Sequence, residues 1–182
     1  MYLFLIKSFA TKPFYKMTQL NTIQFFSEID NSKNILIAGA GGGFDVYCGI
    51  PLYFSLKAMG KNVTLANFSF TLLDETTSEK ITNCCYRVTA IDKDLSGRNY
   101  FPEKYLAQWF AYQGERVEVF AFSRTGVTPL KHSYKYLINE LGIDTVILVD
   151  GGTDSLMFGD EEKLGTPQED ICSMAAVYRT SI

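Results

Sequence analysis

The sequence predicts an α/β fold: a doubly wound, mostly parallel sheet with helices on both faces, a Rossmann-like three-layer sandwich. Three observations predict it. Short apolar runs alternate with stretches of helical periodicity along all but the first residues of the 182-residue chain. The runs are continuous in apolar character, as strands covered on both faces are. And one run, residues 35–38, empties into Gly39-Ala40-Gly41-Gly42-Gly43, four glycines in five positions. Without a Cβ, glycine can take positive φ and let a ligand come close to the backbone.

Residues 1–16 carry Lys7, Lys12 and Lys16 and no acid. They lack arginine, and no basic region precedes the apolar MYLFLI. An over-called start, with Met17 as the true first residue, is preferred to a targeting leader, and the segment is expected to be disordered. Residues 17–182 then form one domain. A short helix is expected within 17–31 and the first strand over 34–40. The glycine loop follows. The first long helix falls between Asp45 and Met59 and closes at Gly60. Pro51 lies inside it, so the helix either starts there or starts at Asp45 and bends at the proline.

The second strand is 62–68. Residues 73–83 are polar and read as a loop or a poor helix. A third strand is expected over 86–91, followed by turns around Asp92, Asp94 and Gly97. The next helix opens with Pro102 at its first turn and runs to Tyr112, with Tyr105, Leu106, Trp109 and Phe110 on one face. The fourth strand is 117–122. A helix from Thr128-Pro129 buries Leu130, Tyr134, Leu137, Ile138 and Leu141 and is capped by Gly142. The fifth strand is 145–149. The last helix starts after Thr166-Pro167, with Thr166 and Glu169 spaced as a capping box.

Composition narrows the function. A net charge of −3 and a pI near 5.2 leave no basic face for phosphate neutralisation, which argues against nucleic acid as a partner. No apolar run approaches the roughly 18 residues that a membrane helix needs. Cys48, Cys84, Cys85 and Cys172 show no CxxC spacing, so they read as ordinary thiols in a reducing compartment, the cytoplasm. The partner expected is a small molecule; homo-oligomerisation is left open.

In an open parallel sheet, ligands sit beyond the carboxyl ends of the strands. Those ends are polar here. The first strand gives Gly39, Gly41, Gly42, Gly43 and Asp45; the second gives Asn67, Ser69 and Thr71. The fourth gives Ser123, Arg124, Thr125 and Gly126, and the fifth gives Asp150, Gly151, Gly152, Thr153, Asp154 and Ser155. Gly39 and Gly41 fit the dinucleotide fingerprint GxGxxG, but Phe44 occupies its last glycine. Asn67 and Ser69 stand where an acid would grip a ribose, so NAD(P) is disfavoured. The P-loop lysine is absent too.

Between Asp150 and Glu162 lie five carboxylates in thirteen residues. Glu161 and Glu162 read as a solvated turn. Asp150 and Asp154 flank glycines at a strand end and read as catalytic. Asp45, Asp154 and Asp160 are candidate ligands for Mg²⁺, which favours oxygen donors and bridges carboxylates to phosphates. Arg124 reads equally as an anion clamp and as a surface ion-pair partner. His132, the sole histidine, lies off the apolar stripe of its helix and reads as solvated. With no other imidazole, carboxylates or a metal would have to move protons.

Several motifs in one order carry a resemblance: AGAGGGFDV at 38–46, LANFSF at 65–70, YFPEKYLAQW at 100–109, RTGVTPL at 124–130, LVDGGTDSLMFGDE at 148–161 and LGTPQED at 164–170. Together, over about 34–180, the chain resembles the family called domain of unknown function 1152. The resemblance implies fold and motif positions but no reaction. Members of that family are longer, and no C-cap signal precedes Ile182, so a C-terminal truncation is expected.

The function expected is an enzyme that binds a small phosphorylated or nucleotide-like metabolite at the sheet edge, for hydrolysis or group transfer. The glycine loop would cradle the anion, and Asp150 and Asp154 would hold Mg²⁺ or act as base. Arg124, Thr153 and Ser155 would orient the substrate. The alternatives are a non-catalytic binding or regulatory domain and, third, an NAD(P)-dependent oxidoreductase with an atypical glycine loop.

Overall fold

The computed structural model describes residues 24–160, 162, 165, 167–178 and 180. The chain divides into two compact units, residues 1–31 and 32–182. In the first, helix α1 (Gln24–Glu28) is the described part of the helix expected within 17–31, and Phe26 and Ile29 are buried. Residues 1–16 lie outside the described residues, as do Glu161 and Thr166, so the leader and the capping box fall there too.

The second unit holds six strands: β1 (Asn34–Gly39), β2 (Asn62–Ser69), β3 (Glu79–Lys80), β4 (Cys85–Val88), β5 (Val119–Ser123) and β6 (Thr145–Val149). Its helices are α2 (Asp45–Cys48), α3 (Ile50–Ala58), α4 (Pro102–Tyr112), α5 (Val127–Leu141) and α6 (Pro167–Val177). The strand order is β3-β4-β5-β2-β1-β6. β1 pairs in parallel with β2 and β6, and β2 with β5; β4 runs antiparallel to β5, and β3 to β4. The α/β class and the mostly parallel sheet read from the sequence are thus the observed ones.

The reversed direction of β4 has a local cause. A parallel return needs a crossover that carries the chain back to the other end of the sheet, usually a helix. Here the chain returns through only a 3-10 turn at Leu73–Glu75, and the exposed strand β3 already runs in the direction of β5, with Glu79 opposite Arg87 and Arg87 opposite Phe120. A tight turn follows, in which Ile81 and Thr82 N–H donate to the Cys85 carbonyl (2.8 and 3.1 Å). β4 therefore starts at the carboxyl end, where Ser123 N–H donates to the Cys84 carbonyl (2.8 Å), and can only run backwards. It also stops at Val88 rather than at residue 91, because Asp92 accepts from Thr89 N–H (2.8 Å) and Thr89 Oγ1 (3.0 Å) and closes a turn.

Alternation of side chains across the strands fills two apolar layers. Leu36, Ala38, Ala66, Phe68, Phe120 and Phe122 face α5, meeting Leu130, Tyr134, Leu137 and Ile138, and Ala176 of α6 closes the same layer. The opposite layer receives α3 and α4 and includes Tyr86, Val88, Phe101 and Ala121. Each large side chain buried there contributes about 1.5–3 kcal/mol, which is what holds the helices to the sheet. The Asp45–Met59 window holds two helices. α2 ends before Gly49, where a Cβ would lie 2.6 Å from Ile37 Cγ2, and α3 starts at Ile50 with Pro51 in its first turn, where the missing N–H costs nothing, as the first of the two readings has it.

β6 was read as a buried run, yet all five of its residues are half-exposed, because it lies at an edge of the sheet. From β1 the chain winds through β2 to β5 on one side. It then crosses by α5 to β6 on the other. The carboxyl ends of β1 and β6 therefore flank a topological switch point, where such sheets open a crevice. Among the described residues no helix is long and apolar enough to cross a membrane.

Candidate functional site

The glycine loop extends the sheet ladder: Ala40 N–H donates to the Val149 carbonyl of β6 (2.9 Å). The chain then turns through Gly42 and Gly43, whose φ values of 101° and 64° strain any side-chain-bearing residue. A Cβ at Gly42 would also strike the Phe70 ring at 2.6 Å. At Gly41 a Cβ would come within 2.6 Å of Asp170 Oδ1 and 2.8 Å of Asp45 Oδ2. The loop is stripped of side chains there because two carboxylates take up the space.

Asp45, the first residue of α2, ties the loops of the crevice together. Its Oδ2 accepts from Gly41 N–H (2.7 Å) and its Oδ1 from Gly151 N–H (3.2 Å). Asp150 Oδ1 accepts from Gly152 N–H (2.6 Å). Asp170 arrives from α6, which Ser173 pins to the loop by donating to the Ala40 carbonyl (2.7 Å). One carboxylate oxygen each from Asp45, Asp150 and Asp170 lies within 4.8 Å of the others. Asp170 is only 2% exposed, and its Oδ1 has no hydrogen-bond partner among the described residues.

The electrostatics follow from this crowding. Burial, and then the neighbouring charges of Asp150, Asp45 and Asp154, push the Asp170 carboxyl up to about 6. Asp45 is also raised, chiefly by burial, with Asp150 adding to it and the Gly151 and Gly41 amides opposing.

A second carboxylate network lies beneath the loop. Asn67 and Ser69, expected to face a ligand, are fully buried. Asn67 Nδ2 donates to the Gly43 carbonyl (2.9 Å) and to Glu103 Oε1 (2.6 Å); Glu103 Oε2 accepts from Thr71 Oγ1 (3.3 Å). They brace the loop from below. Burial raises the Glu103 carboxyl above its ordinary range. Its folded-state proton is therefore held more tightly than in the unfolded chain, so its contribution to stability is complete below about 4.5 and falls as pH rises above that. Glu103→Gln is expected to remove that slope and to stay within about 1 kcal/mol of wild type at pH 7, since the amide can still accept from Asn67. Glu103→Ala strands the Asn67 amide and leaves a void, and should cost about 2–4 kcal/mol. Urea unfolding at several pH values checks both.

On the far rim, Arg124 is largely exposed, with its guanidinium 5.5 Å from the Phe70 ring centroid and 3.4 Å from Glu169 Oε1. Of the two roles read for it, the ion-pair partner is the one observed. Thr125 is half-exposed; Gly151, Gly152 and Thr153 are exposed; nothing is described of the Ser155 side chain. Asp154 is half-buried, with Oδ1 3.1 Å from where a Cβ of Gly152 would stand. Asp160 is exposed, and the described carboxylate group joins Asp45 to Asp150 and Asp170 rather than to Asp154 and Asp160. His132 is exposed on α5, and all four cysteines are free.

Asp170, Glu103 and Phe70 were not singled out in the sequence. Glu103 had a signal: it begins the stripe Glu103, Leu106, Ala107, Phe110 that α4 buries, and an acid on an apolar stripe is out of place. Asp170 had a weaker one, on the buried face Asp170, Ser173, Ala176 of α6.

A family model described as "Protein of unknown function (DUF1152)" matches residues 36–182. Neither the curated proteins nor the solved structures give a match.

Proposed function

Starting from a chain that belongs to the DUF1152 family of proteins of unknown function, we propose that the crevice at the β1–β6 switch point binds a small phosphorylated or nucleotide-like metabolite and transfers or hydrolyses a group on it. The observation that carries this is the convergence, at that one crevice, of a side-chain-free glycine loop and the polar β6 loop, tied by Asp45 to both Gly41 and Gly151. The loop Gly41–Gly43 carries no side chain of its own, and the carboxylates of Asp45 and Asp170 and the Phe70 ring lie against it.

Carboxylates repel phosphate unless a cation intervenes. Mg²⁺ is the cofactor that suits such oxygen donors; bound there, it would neutralise anionic charge. Arg124, at the rim, would meet the same charge from the opposite side. Asp154 would accept the proton of the attacking water or hydroxyl, with Asp150 beside it. The lack of an acid at the end of β2 argues against a nicotinamide cofactor, since Asn67 and Ser69 are consumed in bracing the loop. Free thiols throughout fit a cytoplasmic setting.

The test is a thermal-shift panel of nucleotides, sugar phosphates and nicotinamide cofactors, each with and without Mg²⁺. A ligand at a hundred times its dissociation constant should stabilise by about 2.7 kcal/mol, raising the melting point by roughly 5–10 °C. A shift confined to one phosphorylated class supports the reading and selects the substrate for turnover assays. No shift from any phosphorylated compound, in a protein that melts cooperatively, overturns it.

A further inference from the structure

We infer that Asp45, Asp150 and Asp170 form a binding site for one hard divalent cation, and that Asp170, from α6, is its decisive ligand. The inference deepens the reading of the crevice given above and rests on it for the anionic ligand that such a cation would present.

Three acids near one another on a protein surface would mean little. What separates this group is Asp170. It is 98% removed from solvent, and its Oδ1 has no donor among the described residues. Buried acceptors are normally satisfied, and buried carboxylates are normally paired with a positive charge. Among the described residues no such charge is found against Asp170; the carboxylates of Asp45, Asp150 and Asp154 are its charged neighbours. The oxygen is aimed into the group, since a Cβ at Gly41 would be squeezed between it and Asp45 Oδ2. Both the unmet acceptor and the crowded charges call for a cation at this point.

The geometry fits one. Ligand oxygens at opposite corners around Mg²⁺ stand roughly 4.2 Å apart, and around Ca²⁺ roughly 4.6–5.2 Å. The three oxygens lie within 4.8 Å of one another, a limit inside the span of Ca²⁺ and wider than that of Mg²⁺. The supporting bonds are in place too. Gly41 and Gly151 amides orient Asp45 by one hydrogen bond to each oxygen, and a carboxylate has about four lone-pair positions, so acceptor capacity remains. Gly152 N–H orients Asp150 in the same way. Ser173 fixes the helix that carries Asp170. An all-oxygen donor set excludes soft-metal preference and points to Mg²⁺, Mn²⁺ or Ca²⁺. The loop that supplies Asp150 also opens onto the crevice, so remaining positions on the ion face a ligand.

The sequence reading assigned the cation to Asp45, Asp154 and Asp160. That assignment and this one separate cleanly in an experiment. The full-length chain, stripped with chelator, is titrated with Mn²⁺ followed by electron paramagnetic resonance, and with Mg²⁺ and Ca²⁺ by calorimetry. Wild type should bind one ion saturably. Asp170→Asn and Asp150→Asn should each weaken binding at least about tenfold, through loss of a charged ligand, while Asp160→Asn binds as wild type. Asp45→Asn is avoided because its amide would face backbone N–H groups.

Circular dichroism establishes that each variant is folded. No saturable binding in millimolar cation, undiminished binding by Asp170→Asn, or equal loss in Asp160→Asn overturns the inference. Because no metabolite is present, these outcomes are independent of the ligand panel. A phosphorylated compound that shifts the melting point in chelator while no ion binds would leave the crevice reading standing and this one refuted. Ion binding without any metabolite shift would do the reverse.

Discussion

Gly39→Ala should be among the most destabilising single substitutions in the molecule, costing about 3 kcal/mol or more and lowering the melting point by roughly 10 °C. Gly39 ends β1 exactly where α2 crosses it. A Cβ there would fall on Asn67 Oδ1 and stand 2.6 Å from the Val46 backbone nitrogen. Neither can yield. Asn67 is held by Gly43 and Glu103, and Val46 belongs to a helix packed on the sheet. The cost is steric, since Gly39 is not among the positive-φ glycines. Gly60→Ala is the control: nothing lies within 4 Å of its Cβ position, so it suffers only the strain of φ 79°. A Gly39→Ala variant that melts with wild type would mean that the loop is not braced as described. Differential scanning calorimetry decides between them.

Asp170→Asn should do the opposite. In chelator at pH 7.5 it is expected to melt several degrees above wild type. Moving the carboxyl from its ordinary 3.8 to about 6 means that ionising it in the folded protein costs on the order of 3 kcal/mol. Asparagine keeps the shape, removes the charge and can donate to the carboxylates of Asp45 or Asp150. The sign with pH follows from a raised folded value. The wild-type carboxyl binds its proton more tightly when folded, so its relative stability is greatest below 3.8 and is lost as pH rises through about 6. The advantage of the variant is therefore full above pH 6 and shrinks towards pH 4. Asp45, Asp150 and Asp154 are the charged groups that set it. Equal melting of the two proteins across this range would show that Asp170 is not strained by its neighbours.

Some of this was legible from the residues in order. The helix over Val127–Leu141 announced itself by Leu130, Tyr134, Leu137 and Ile138 at helical spacing, though Leu141, read on the same buried stripe, is exposed, and by Gly142 just past its end, which sits at φ 59° as a left-handed cap. β1 and its glycine loop were equally plain, as were the start of α4 at Pro102 and of α6 at Pro167. Asp150 and Asp154 stood out because acids beside glycines at a strand end have few structural uses, and Asp45 was joined to them as a candidate metal ligand.

Other features could not be read this way. Asn67 looked like a ligand contact, because a polar residue at a strand end is usually exposed; here α4 covers it and supplies Glu103 as its partner. The antiparallel direction of β4 depended on a short strand and a tight turn within 79–85, a stretch too weakly patterned to decide.

The sequence by itself determined most of the helices, strands and loops, the 73–83 stretch and the break at Gly49 apart, because periodicity and turn chemistry act over a few residues and carry their signal locally. Only the tertiary structure decided the strand order, the exposed edge position of β6 and the meeting of Asp45, Asp150 and Asp170. Those depend on which loop-closure and packing solution buries the most apolar surface, and no local pattern encodes that. The crevice takes its chemistry from this second level. Asp170 is an ordinary helix-start acid until α6 packs on α5 and Ser173 reaches Ala40; then it becomes a buried carboxylate beside those of Asp45 and Asp150.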